Sequence, residues 1–92
     1  MSSARRQCSL DQRGFGLDAG LAFGKVLRER RKRAGLTQEQ LALEADIQRN
    51  YVSLIERGKN QPTVVIVFKL AAALRCRPSD LIADVERIIH FT

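Results

Sequence analysis

Apolar side chains recur at helical spacing from residue 21 onward. The first stripe consists of Phe23, Val26, Leu27 and Ala34. Apolar residues at intervals of three, four and seven positions are typical of an amphipathic helix with one buried face. We expect this helix to end at Gly35, because glycine readily adopts the left-handed conformation that closes many helices.

A second helix is predicted directly after Leu36. Thr37 and Gln40 have the spacing of a capping box, in which each side chain accepts a hydrogen bond from the backbone N–H of the other. Leu36 and Leu41 stand at the two positions of a hydrophobic staple. The helix is short, and we expect a tight turn at Asp46, a residue that tolerates the left-handed conformation.

Three further helices complete the pattern. The third covers residues 48–57, and the fifth begins at Pro78, since proline is favoured in the first turn of a helix. The fourth runs from the N-cap Thr63 to Leu74, although its β-branched start has the propensity of a strand. A helix is predicted because a lone strand would have no partner in this chain. Its buried face would consist of Val64, Val67, Leu70, Ala71 and Leu74.

The chain divides into two parts on this basis. Residues 21–92 form one all-α domain, and residues 1–20 lack a clear apolar period, so we predict a flexible basic arm. Arg5, Arg6 and Arg13 in the arm could contact DNA phosphates or simply be solvated.

Charge and composition narrow the function classes. The net charge is +6, and the segment 21–60 holds nine Lys or Arg against five Asp or Glu. A basic chain favours nucleic acid or an anionic membrane as its partner, but no apolar run is long enough to span a membrane. We infer a cytoplasmic protein without disulfides or a zinc site, since it has only Cys8 and Cys76. No residue set indicates an enzyme, a cofactor, a metal or a small-molecule ligand.

The third helix has two different faces. Val52, Ile55 and Glu56 share one side of the helical wheel. The other side carries Arg49, Asn50, Ser53 and Arg57, with Leu54 beside them and Tyr51 at the border. Arg and Asn are the side chains that bind guanine and adenine edges bidentately. A polar face of this kind could equally be a solvated surface.

Two motifs at fixed spacing carry a family resemblance over about Phe23 to Ile82. They are Leu36-Thr37-Gln38-Glu39-x-Leu41-Ala42 and Arg49-Asn50-Tyr51-Val52-Ser53-x-Ile55-Glu56-Arg57-Gly58-Lys59, followed by Pro62-Thr63. They resemble the Xre/Cro family of phage-repressor-type helix-turn-helix domains. The second motif is similar in particular to the controller proteins of restriction–modification systems.

The resemblance implies a five-helix domain that binds double-stranded DNA and regulates transcription, usually as a homodimer on a pseudo-palindromic operator. It implies base contacts from Arg49, Asn50, Ser53 and Leu54. It implies DNA backbone contacts from Gln38, Gln48, Tyr51, Arg57, Lys59 and Asn60. It also implies a buried ion pair between Arg31 and Glu56, and both charges fall on core-facing stripes of their helices.

Three features depart from the family pattern. Gln48 is a poor N-cap for the third helix, and Arg75 stands where a glycine commonly separates the fourth and fifth helices. Apolar residues also occupy positions that are usually polar, namely Val65, Ile66 and Phe68. This excess apolar surface predicts either a fuller monomer core or a homodimer interface. The interface would involve Ile82, Val85, Ile89 and Phe91.

A second function class remains open on the sequence. The same scaffold could serve as an antitoxin-type or other protein-interaction module that binds a protein partner and regulates its own operon.

Overall fold

Five α-helices follow one another in the computed structural model, which describes residues 19–90. They are α1 (19–33), α2 (Gln38–Ala45), α3 (Arg49–Glu56), α4 (Val64–Ala73) and α5 (Pro78–His90), and no strand occurs within that range. The predicted all-α, five-helix architecture is confirmed. α1 already includes residues 19 and 20, earlier than expected, and the rest of the predicted arm lies outside the described residues.

Two helices begin with the caps that their sequences predict. At the start of α2, the Gln40 backbone N–H donates to Thr37 Oγ1 at 3.0 Å, and the Thr37 N–H donates to Gln40 Oε1 at 2.8 Å. At the start of α4, Thr63 Oγ1 accepts from the Ile66 N–H at 3.2 Å. This cap explains why a β-branched segment forms a helix here, because it satisfies a backbone donor that would otherwise be unpaired.

The first four helices end in the same type of turn, closed by a residue with positive φ. These residues are Gly35, Asp46, Gly58 and Arg75, with φ of 75°, 60°, 75° and 59°. In the first turn the Gly35 N–H donates to Lys32 O and the Leu36 N–H donates to Arg31 O, at 3.0 and 3.1 Å. Arg75 keeps this geometry, although the left-handed conformation costs a residue with a Cβ roughly 1–2 kcal/mol.

The core lies where the helices meet. α2 packs against α3 and α4, and α4 packs against α5. The large side chains with the least exposure are Leu27, Leu41, Val52, Ile55, Leu70 and Leu81. Complete burial of each such side chain contributes about 1.5–3 kcal/mol to the stability of the fold.

Two residues assigned to the core by periodicity are exposed instead. Ala34 follows the last residue of α1 and lies in the turn. Val64 is 73% exposed because it occupies the first position of α4, at the edge of the core. Cys76 is half-buried against the core, where burial raises the pKa of its thiol.

An ion pair joins the first helix to the last. Arg30 Nε lies 2.8 Å from Asp84 Oδ2, and the two side chains are 24% and 22% exposed. Asp84 also pairs with Arg87. The hydrogen bond to Asp84 raises the pKa of Arg30. Arg30 therefore helps to hold α1 against α5. Among the described helices, none has the length and hydropathy needed to cross a membrane.

Candidate functional site

α3 turns one face to the core and the other to solvent, as its pattern predicted. Val52 and Ile55 have no exposed surface. On the opposite side, Arg49 and Asn50 are exposed, and Ser53 and Leu54 are half-buried. Tyr51 is half-buried and packs against the core, which agrees with its border position on the wheel. The start of α3 thus exposes the Arg49 guanidinium and the Asn50 carboxamide to solvent, while Val52 and Ile55 on the other face are buried in the core.

Arg31 and Glu56 meet beneath this surface and join α1 to the last turn of α3. Arg31 Nε lies 2.6 Å from Glu56 Oε2, and Arg31 Nη2 lies 3.1 Å from Glu56 Oε1. The third nitrogen, Nη1, donates to the backbone oxygen of Leu36 at 2.9 Å. The two charged side chains are 11% and 3% exposed. Loss of either partner would leave the other charge buried and uncompensated.

Gln38 belongs to the same polar cluster, which the sequence did not reveal. Its amide Nε2 donates to Glu56 Oε1 at 3.0 Å, so the first residue of α2 is tied to the last residue of α3. Gln38 is also one of the residues predicted to contact the DNA backbone, and one hydrogen of its amide is directed inward to Glu56. Eighteen positions separate the two residues, and no local motif links them.

The other polar residues expected to contact DNA lie around the ends of α3. Gln48 is exposed at its start, and its side chain makes no capping hydrogen bond. Arg57, Lys59 and Asn60 are exposed just beyond its end. The backbone N–H groups of Lys59 and Asn60 both donate to Leu54 O, at 2.9 and 3.3 Å, which folds this loop back onto the helix.

The last turn of α3 also packs closely against the backbone of α1 at Gly24. A Cβ atom at Gly24 would lie 2.5 Å from the Ile55 carbonyl oxygen and 2.7 Å from that of Glu56. Real Cβ atoms essentially never approach backbone this closely, so only glycine allows this contact. The sequence shows a glycine inside a helix, which signals a close approach but does not identify the partner.

Apolar surface is exposed on α4 and α5, but not wholly where it was predicted. Val65, Phe68 and Ile82 are 63%, 59% and 49% exposed. Val85, which was assigned to a dimer interface, is only 7% exposed and belongs to the core. It lies four residues after the fully buried Leu81, on the same face of α5. Ile66 and Ile89 are half-buried against the core, and Phe91 lies outside the described residues.

Comparisons with known proteins agree with this geometry. A family model described as helix-turn-helix matches residues 27–81. The chain is 37% identical over 71 residues to the control protein C.MunI from Mycoplasma sp, which covers 76% of this chain and 96% of that protein. It is 38% identical over 63 residues to the control protein C.BamHI from Bacillus amyloliquefaciens, covering 67% and 78% of the two chains.

A solved structure is similar as well. The restriction-modification controller protein C.AhdI from Aeromonas hydrophila superposes with a TM-score of 0.65 at 43% identity, over 66% of this chain and 92% of that one. The region matched by the family model contains all of α2, α3 and α4. It therefore includes the exposed face of α3 and the polar cluster beneath it.

Proposed function

Because this chain belongs to the helix-turn-helix family of DNA-binding transcriptional regulators, we propose that α3 enters the major groove of double-stranded DNA. The observation that carries the proposal is the division of α3 into two faces. Val52 and Ile55 are fully buried, whereas Arg49 and Asn50 are exposed at its N-terminal end. In such domains the N-terminal residues of the second helix are the ones that reach base edges.

The exposed residues of α3 have the chemistry for base recognition. The Arg49 guanidinium can donate to O6 and N7 of guanine, and the Asn50 carboxamide can bind N6 and N7 of adenine. Ser53 can donate or accept, and Leu54 can contact a thymine methyl group. We propose these four residues as the base-reading set.

A second set of residues would hold the DNA backbone. It comprises Gln38, Gln48, Tyr51, Arg57, Lys59 and Asn60. Gln38 lies at the start of α2, where the helix dipole and unpaired backbone N–H groups favour an anion. The net charge of +6 favours an electrostatic contribution to DNA binding. Binding of that kind weakens as the salt concentration rises. We also propose a cytoplasmic location, since that is where a bacterial-type operator is found.

We further propose that the protein acts as a homodimer on a pseudo-palindromic operator. The support is the exposed apolar surface of α4 and α5, which includes Phe68 and Ile82. Ile82, Ile89 and Phe91 remain candidates for the interface, and Val85 is no longer one. The relatives named above are control proteins, so we infer a control protein of the same kind. The antitoxin-type alternative is not favoured by those relatives.

Selection from random DNA duplexes, followed by footprinting, would test the base-reading set. Arg49→Ala should weaken binding to the selected site by about 1–3 kcal/mol and relax base preference at one position. Lys59→Ala should weaken binding to every sequence and reduce the slope of log affinity against log salt by about 1. Equal losses on the selected site and on random DNA for both variants would contradict this division of roles.

Sedimentation would test the dimer. Ile82→Asp should shift the protein toward a monomer, because it introduces a charge into the proposed apolar interface. Leu43→Asp is a matched control, since Leu43 is 81% exposed on α2 and lies outside that interface. A monomer at high micromolar concentration for the unaltered protein would refute the dimer.

A further inference from the structure

Gln38 joins the surface proposed to contact the DNA backbone to the ion pair buried beneath it. Its amide nitrogen lies 3.0 Å from Oε1 of Glu56, and the Glu56 side chain is only 3% exposed. We propose that Glu56 is a positioning residue for DNA binding, which holds one amide hydrogen of Gln38 so that the other is available to a phosphate. This inference rests on the proposed DNA-binding function.

The Glu56 carboxylate is held firmly enough to act in this way. Its Oε2 accepts from Arg31 Nε at 2.6 Å, and its Oε1 accepts from both Arg31 Nη2 and Gln38 Nε2. Arg31 is held in turn by its bond to the Leu36 carbonyl oxygen at 2.9 Å. Both oxygens are thus fixed by a guanidinium that is itself anchored. A carboxylate with this support presents Gln38 with an acceptor at a defined place.

The chemistry of a carboxamide makes this fixed acceptor important. A glutamine amide has an NH₂ end that only donates and an oxygen that only accepts. Carboxylates and phosphates both accept, so both require the NH₂ end. With Glu56 in place, a half-turn of the amide would bring its oxygen against the carboxylate. Without Glu56, both amide orientations become available, and one of them presents an acceptor to the phosphate.

The position of Gln38 suits this double use of one NH₂ group. The residue is half-buried at the first position of α2. Within the described residues, its side chain makes no hydrogen bond besides the one to Glu56. Gln48, which stands at the start of α3, is exposed and has no such link. The chain therefore supplies an internal control of the same residue type.

A double-mutant cycle tests the proposal on the full chain with the selected duplex. Gln38→Ala is measured in the unaltered protein and in an Arg31→Met/Glu56→Leu background, where two apolar residues replace the pair, an exchange that proteins often tolerate. We expect Gln38→Ala to weaken binding about tenfold in the unaltered protein, because it removes a hydrogen bond to a charged acceptor. In the apolar background we expect a loss of no more than about threefold. Gln48→Ala should have the same effect in both backgrounds.

The outcomes separate the proposal from a general loss of structure. Melting curves must show each variant folded at the assay temperature. If the apolar background does not fold, Glu56→Gln replaces it, because a carboxamide can turn either its oxygen or its NH₂ group toward Gln38 and so no longer offers a fixed acceptor. Equal Gln38→Ala penalties in both backgrounds, or no penalty in the unaltered protein, would overturn the positioning role. Failure of the unaltered protein to select any duplex would instead overturn the proposed function.

Discussion

The two ends of α3 are held in different ways. At the C-terminal end, the Glu56 side chain is paired with Arg31 and the backbone rests on Gly24. At the N-terminal end, Gln48 makes no capping hydrogen bond. α2, its partner in the helix-turn-helix, begins with a complete capping box. The strong interactions of α3 are therefore concentrated at the end farther from Arg49 and Asn50.

The two ends of this short helix therefore contribute to different properties, one to folding and the other to DNA binding. The buried end fixes the direction of α3 relative to the core, because both its side chain and its carbonyl oxygens are in contact with α1. The exposed end has backbone N–H groups without a side-chain cap, which can bind water or a ligand. Changes at the C-terminal end should act mainly on folding, and changes at the N-terminal end should act mainly on binding.

The largest effect is expected at the buried ion pair. Arg31→Ala should lower the free energy of unfolding by roughly 3–5 kcal/mol, because it leaves the Glu56 carboxylate buried without its partner. Urea denaturation gives this value directly. Arg33→Ala is the control. The Arg33 side chain is 71% exposed, and its Nη2 lies 3.8 Å from Glu29 Oε1 in an ion pair within α1. Such pairs contribute about 0.5 kcal/mol or less. A loss below 1 kcal/mol for Arg31→Ala would contradict the difference between the two ends.

A smaller effect is expected where α3 rests on α1. Gly24→Ala should lower the free energy of unfolding by about 1–3 kcal/mol, because the added methyl group must displace the last turn of α3. It should also weaken DNA binding in proportion to that displacement. Gly20→Ala, in the same helix, places its Cβ 3.3 Å from Cγ of Gln61, which is a side-chain atom and not backbone.

The Gly20→Ala control separates packing from helix propensity. Alanine is favoured over glycine in a helix by about 0.5–1 kcal/mol, so this variant should be neutral or more stable. Equal stability changes for the two alanine variants in chemical denaturation would show that α1 and α3 do not depend on the close approach at Gly24.

The features that the sequence predicted well are local ones. The capping box at Thr37, the turn at Asp46 and the weak cap at Gln48 each depend on residues within about one helical turn. Helical periodicity also placed Arg31 and Glu56 on core-facing stripes. The family resemblance was needed to pair them, because periodicity says which way a side chain faces and not what it meets.

The features that the sequence missed depend on where distant helices cross. Arg30 binds Asp84 across 54 positions, and Gly24 meets the carbonyl oxygens of α3. Val85 was assigned to an interface because the fourth and fifth helices carry more apolar residues than one small core needs. Its burial depends on which part of α5 packs against the core, and helical periodicity does not give that position.

The smallest stability change is expected at the uncapped start of α3. Gln48→Ser should raise the free energy of unfolding by about 1 kcal/mol, since a serine hydroxyl at an N-cap accepts from a backbone N–H in the first turn. Thr37→Ala, at the equivalent position of α2, should lower it by a similar amount. If Gln48 contacts the DNA backbone as proposed, Gln48→Ser should at the same time weaken binding by about 1 kcal/mol.

A gain in stability together with a loss of affinity would show that the weak cap serves binding at the expense of the free domain. Parallel denaturation and titration of Gln48→Ser decide between the two roles of this residue. A more stable variant with unchanged affinity would remove Gln48 from the proposed contacts. An unchanged stability would mean that the first N–H groups of α3 are already satisfied by water, since only the cap changes in this variant. The contrast between the two ends of α3 would then be confined to the ion pair and the packing at Gly24.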